Sequence, residues 1–69
     1  MKVTYGVSVD VLRMLFNDAP TAESDEDKPG VILDYAEDGT IIGMEILDAS
    51  KHMSNPSGVE YAVVGVKSA

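Results

Sequence analysis

Alternation of apolar and polar positions marks most of the chain as β-structure. At the start, Val7, Val9 and Val11 are β-branched and alternate with Ser8 and Asp10. The alternation continues through Leu12, Met14 and Phe16 around Arg13, and Leu15 breaks it. The phase shift near Asp10 to Leu12 predicts two short strands, at 2–8 and 10–16, or one strand carrying a bulge. Val9, Leu12 and Phe16 also have the i, i+3, i+7 spacing of a helix. β-branched residues lose side-chain freedom in a helix, and that favours the strand.

Farther along, two β-rich runs, 31–36 and 40–47, flank Asp38-Gly39, the local signature of a hairpin. A two-residue loop there pairs Tyr35 with Ile42, Leu33 with Met44 and Val31 with Ile46. All six then share one face, and the other face is mixed, with Asp34 opposite Gly43 and Ile32 opposite Glu45. A three-residue turn with a bulge at Gly39 would set Ile42 against Asp34 and Ile46 against Gly30. A one-residue slip turns every side chain over, so the apolar pattern selects the first register, although Glu37-Asp38-Gly39 also suits the bulged turn. After the second run, Asp48 or Ser50 is placed to cap a short helix. Ser54-Asn55-Pro56-Ser57-Gly58 breaks the pattern, and Val59 to Val66 resumes β character. Asn17-Asp18-Ala19-Pro20 reads as a turn, and Pro29-Gly30 closes the segment that follows it.

That segment changes the picture. Thr21 to Lys28 is TAESDEDK, and its Glu23, Asp25, Glu26 and Asp27 form the densest charge in a chain with 12 acidic and 5 basic residues, net −7. It reads as a solvated loop or as an optional edge strand, 20–25, blunted by charge. The acidic balance argues against direct binding of nucleic acid, which needs clustered Lys and Arg. It points instead to a basic protein partner, with Glu23, Asp25, Glu26 and Asp27 as the candidate binding residues. No apolar run approaches the ~7–15 residues of a secretory segment or the ~20 of a spanning helix, so a cytoplasmic protein with no membrane partner is expected.

Little in the chain points to catalysis. Asp48, Ser50 and His52 are the three residue types of a hydrolytic triad within five positions. Neighbours on one helical turn project to different sides, and no nucleophile elbow accompanies them. Asp25, Asp27 and Gly30 match positions 1, 3 and 6 of a calcium loop. Pro29 and Ala36 stand where position 5 and the bidentate Glu of position 12 are required. There is no cysteine for a disulfide or thiolate zinc site and no glycine-rich phosphate loop. No catalytic, cofactor-binding or metal-binding residues are therefore expected, and the four methionines fit core filling.

The segment PGVILDYAEDGTIIGMEILDASK, 29–51, resembles the small bacterial domain-of-unknown-function family 2283, which includes YuzE-like proteins. The opening Met1-Lys2-Val3-Thr4-Tyr5, the strand Gly30 to Tyr35, Asp38-Gly39 and the ending Gly43 to Ser50 carry the resemblance. It extends over about residues 1–53, and 54–69 form a divergent tail. Between Tyr5 and Arg13 only Tyr5, Asp10 and Leu12 follow the family pattern. The resemblance implies a small antiparallel sheet with little helix, no established activity, and, in some members, an antitoxin-like pairing with small toxin-like proteins.

Together these observations predict a single small domain, 1–69, of α+β, mostly β, class. It is an antiparallel β-meander of four to five strands with one short helix after the 30–48 hairpin and a last strand at 59–66. A core this small barely offsets the entropy of ordering the chain, and one sheet leaves a face uncovered, so a homodimer is expected. The expected function is a non-enzymatic interaction or regulatory module, antitoxin-like, binding a protein partner. A small ligand-binding protein or enzyme with its site at a dimer seam is the alternative.

Overall fold

A computed structural model describes residues 1–67 of the chain. Five strands form one antiparallel sheet: β1 (Lys2–Gly6), β2 (Val11–Leu15), β3 (Glu23–Lys28), β4 (Val31–Tyr35) and β5 (Ile41–Leu47). One helical turn, α1 (Ala49–His52), follows β5. The mostly-β class and the short helix after the hairpin are as the pattern indicated. The spatial order is β1-β2-β5-β4-β3. β3, β4 and β5 follow one another through tight turns, and β2 lies beside β5, which is the Greek-key arrangement. The connection 16–22 therefore runs past the ends of β5 and β4 to reach the far edge.

Each turn has a local cause. Between β1 and β2 the Asp10 N–H donates to the Gly6 carbonyl at 2.7 Å, and Asp10 adopts φ 57°, a region Asp tolerates better than β-branched residues. Val7 and Val9 therefore sit in this turn, exposed, and not in the strand 2–8 that their alternation suggested. The four-residue turn also starts the second strand at Val11, not at residue 10. Between β3 and β4, Lys28 pairs with Val31 across Pro29-Gly30. Pro fits the first central position of a type II turn, and Gly30, at φ 83°, supplies the second. So tight a turn carries the edge strand to Lys28, later than the expected 20–25.

The central hairpin combines both registers considered from the sequence. Near the turn, the Ala36 N–H donates to the Thr40 carbonyl at 2.8 Å across the three residues Glu37-Asp38-Gly39. Gly39 adopts φ 88°, and Tyr35 pairs with Ile41 instead of Ile42. An irregularity between Asp34 and Tyr35 then restores the expected pairs Asp34–Gly43, Leu33–Met44, Ile32–Glu45 and Val31–Ile46. The extra residue is what lets a bulged turn coexist with an apolar strand face.

Register places Val3 and Tyr5 of β1, Leu12 and Met14 of β2, Met44 and Ile46 of β5 and Val31 and Leu33 of β4 on one face. The opposite face carries Lys2, Thr4, Arg13 and Glu45 beside Val11, Leu47 and Ile32. Burial is shallow on both. Among the described residues the buried apolar ones are Leu12, Ile42 and Ala49, and Ile42 is the largest of them, 1% exposed. The expected strand at 59–66 does not form: Val59, Tyr61, Val63, Val64 and Val66 lie in irregular backbone with exposed side chains. β-branched composition favours a strand only where the run pairs with a neighbour, and the described part of the tail pairs with neither edge strand, β1 or β3.

Candidate functional site

The acidic segment becomes the edge strand β3, and all six of its residues are exposed. Extended geometry divides its carboxylates between the two faces. Glu23 pairs with Tyr35 and Asp25 with Leu33, while Ser24 pairs with Asp34 and Glu26 with Ile32. Asp27 stands at the irregularity between Glu26 and Lys28. Glu26 also has a local task, accepting the Gly30 N–H at 2.9 Å and closing the Pro29-Gly30 turn. The four residues share one strand edge and do not converge on a single point. Among the described residues no three acidic, His or Cys side chains are grouped to hold a metal ion.

A second cluster was not legible from local sequence. Asp10, half-buried, accepts the Tyr5 hydroxyl on Oδ1 at 2.7 Å, the Ser50 hydroxyl on Oδ2 at 2.6 Å and the Ser50 N–H on Oδ1 at 3.0 Å. Its backbone carbonyl takes the Ala49 N–H at 2.9 Å. The first N–H groups of α1, those of Ala49 and Ser50, are thus satisfied by one residue distant in sequence, 40 positions before Ser50. Asp48 was expected to serve, but it adopts φ 51°, ψ 46° and makes no side-chain cap bond, because that bond needs an extended backbone at the capping position. Ser50, the other expected cap, lies inside the helix and gives its hydroxyl to Asp10.

These bonds move the titrations of both acids. The Ser50 hydroxyl, then the Tyr5 hydroxyl, hold the Asp10 carboxyl below its ordinary range. Donating to that carboxylate pushes the Tyr5 phenol above its ordinary value. At the hairpin turn, the Thr40 N–H lowers Asp38 in the same way. A depressed acid stabilises the fold above its unfolded pKa, about 3.9 for Asp, and the gain is lost as pH falls through the folded value. A raised phenol stabilises below about pH 10, and the gain is lost as pH rises through the folded value. Asp10→Asn should therefore lower the urea midpoint at pH 7 and flatten its decline below about pH 4. Parallel midpoint-against-pH curves for the variant and the parent would contradict this assignment.

A third contact explains Gly43. Asp34 is 5% exposed and accepts the Ser24 hydroxyl on Oδ1 at 2.6 Å. A Cβ at Gly43 would lie 3.2 Å from Asp34 Oδ2 and 3.0 Å from the Met14 carbonyl oxygen. Only glycine lets β2 and the Asp34 carboxylate approach β5 so closely.

The triad residue types do not assemble. The Ser50 hydroxyl is committed to Asp10, and the His52 ring lies against Gly30, its Nε2 3.8 Å from where a Gly30 Cβ would stand. Asp25, Asp27 and Gly30 follow an extended strand and a tight turn, so they do not wrap around a cation.

The model of the family "Protein of unknown function (DUF2283)" matches residues 2–50. The chain belongs to DUF2283. The match begins with β1 and ends at Ser50, so it spans the whole sheet and the Asp10 cluster and stops before the tail. No curated protein and no solved structure gave a match. Among the described residues, no helix of this DUF2283 chain is long and apolar enough to cross a membrane. The positions that carried the resemblance, Tyr5, Asp10, Leu12, Asp34, Gly43 and Ser50, do work inside the fold. Two hold the Asp10 carboxylate, one fills the core, and Asp34 and Gly43 meet across β4 and β5.

Proposed function

We propose that this DUF2283 protein is a non-enzymatic, cytoplasmic interaction module that binds a basic protein partner along β3. The observation that supports the reading is the edge position of β3 together with its six exposed residues, ESDEDK. An edge strand offers backbone donors and acceptors to an incoming strand, and side chains on alternating faces select which strand can enter. Glu23 and Asp25 on one face and Glu26 on the other would oppose a second β3 by charge repulsion and accept a strand bearing Lys or Arg. A small basic, toxin-like protein is the partner class in keeping with the family resemblance. The motif residues support the same reading, since their polar groups are engaged with one another in holding the sheet.

The test is affinity capture with the full chain and with the combined variant Glu23→Gln, Asp25→Asn, Glu26→Gln, Asp27→Asn. Gln at position 26 keeps an oxygen for the Gly30 N–H, so the turn is retained. A captured basic protein should associate more slowly as salt screens charges beyond about 8 Å. The variant should lose on-rate more than it gains off-rate. A partner whose association ignores both salt and the variant would remove β3 from the mechanism.

A further inference from the structure

We propose that two copies of this chain pair antiparallel along β1, edge to edge, and continue the sheet from one copy into the other. β1 is the second edge of the order β1-β2-β5-β4-β3, and among the described residues no strand pairs with its outer side. Register decides which backbone groups face outward. The Phe16 N–H donates to the Ile42 carbonyl at 2.7 Å, in line with the β2–β5 pairs Leu15–Gly43 and Met14–Met44. In an antiparallel ladder, successive residues bond to opposite sides of the strand. The even residues of β2 therefore bond to β5, and Val11, Arg13 and Leu15 bond to β1. These three stand opposite Gly6, Thr4 and Lys2. Val3 and Tyr5 are left with their N–H and C=O groups directed outward, at an edge ready to take another strand.

Charge selects β1 of a second copy as the occupant. β3 is ESDEDK, and two β3 strands would set carboxylates against carboxylates. β1 is KVTYG, without an acid in a chain of net −7. Two copies can meet along it with no carboxylates in opposition. β3 is also a poor match for β1, because it has no apolar residue to set beside Val3 and Tyr5. The tail leaves the edge open. Val59 and Tyr61 lie against Met1, Val3 and Met14, on the face of the sheet and not alongside β1.

A two-fold axis through Thr4 matches every residue of the strand. With Thr4 opposite Thr4, Val3 lies opposite Tyr5 of the other copy and exchanges both backbone bonds with it. Lys2 lies opposite Gly6, so all of β1 is used. β-branched–aromatic and Thr–Thr pairs are stabilising across strands. Val3 is 36% exposed and Tyr5 half-buried, so both have surface to lose. Gly6 carries the carbonyl that anchors the Asp10 turn, so Lys2 of one copy comes to the acidic end of the other strand. An axis through Val3 would bring the two lysines closer together and leave Gly6 unpaired. Val3 and Tyr5 share a face, so the apolar face of one copy runs on into that of the other. Two five-stranded sheets become one, with β3 at both ends. The contact is isologous and closes on itself. It does not depend on docking at β3, and it leaves both β3 edges free.

Amide hydrogen exchange followed by NMR reads the outward groups directly. In the parent at several hundred micromolar, the Val3 and Tyr5 amides should exchange several-fold more slowly than at a few tens of micromolar. The Thr4 amide, bonded to β2, should be protected at both concentrations. Sedimentation equilibrium at the higher concentration is expected to give twice the 7.3 kDa chain mass. Val3→Pro removes an outward donor and no bond to β2, a change that edge strands accept. Circular dichroism checks its fold, and its dimer should be weaker by roughly tenfold or more, since the donor is lost twice by symmetry. The absence of native cysteine allows a test of register in otherwise unchanged chains. Under mild oxidation, Thr4→Cys chains should form linked dimers several-fold faster than Lys2→Cys or Asp25→Cys chains. Only the residue on the axis brings two Cβ atoms to within about 4.5–5.5 Å. A parent that is monomeric at several hundred micromolar would overturn the proposal, as would Val3 and Tyr5 amides whose exchange ignores concentration. So would a folded Val3→Pro chain that dimerises as well as the parent, or Lys2→Cys or Asp25→Cys chains that link as fast as Thr4→Cys. None of these results bears on β3 as a docking edge, which the neutralised variant tests separately.

Discussion

Ile42→Ala is expected to destabilise the protein by about 2–5 kcal/mol, the range for truncating a buried Ile. Among the described residues Ile42 is the largest side chain fully withdrawn from solvent, and the other buried apolar residues are Leu12 and Ala49. Domains hold roughly 0.05–0.15 kcal/mol of stability per residue, so a loss of this size removes much of what a 69-residue chain has. Ile42 is also the residue displaced from Tyr35 by the irregular pairing at Asp34–Tyr35. A urea midpoint close to that of the parent would mean that Ile42 is not the centre of the core.

Gly43→Val should be comparably damaging by the opposite route. Overpacking costs typically about 1–3 kcal/mol, and here one of the two atoms in the way is the backbone oxygen of Met14, 3.0 Å from the new Cβ. β5 is the central strand of the order β1-β2-β5-β4-β3, so it has little room to move. Asp34, the other obstacle, is a side chain and can be shortened. Asp34→Ala should therefore recover part of the loss in the double variant, measured as coupling in a mutant cycle. Strict additivity of the two substitutions would contradict the close approach between Gly43 and Asp34.

What the sequence revealed and what it concealed divide along a physical line. The pairs Leu33–Met44 and Val31–Ile46 were legible because a period-2 pattern flanks a turn signal. Val7 and Val9 carried the same alternation, yet the backbone turns there, because Asp10 takes the positive φ and closes the bond to Gly6. β3 has no apolar residue to announce it. It forms because Pro29-Gly30 folds it back against β4, and its boundaries follow from that turn. The tail shows the reverse case, with strand composition but no pairing to either edge strand, β1 or β3. The Asp10 cluster joins positions 5, 10 and 50, and no local pattern spans that separation. The signal available in the sequence is the family resemblance, which includes Tyr5, Asp10 and the ending at Ser50.

Docking of a basic partner along the edge strand β3 is the central claim about this protein, and the salt dependence of the association rate tests it most directly. The rate for the full chain should fall as salt screens the exposed carboxylates of β3, and the chain with Glu23→Gln, Asp25→Asn, Glu26→Gln and Asp27→Asn should associate more slowly and respond less to salt. A rate indifferent to both salt and the four substitutions would contradict the account.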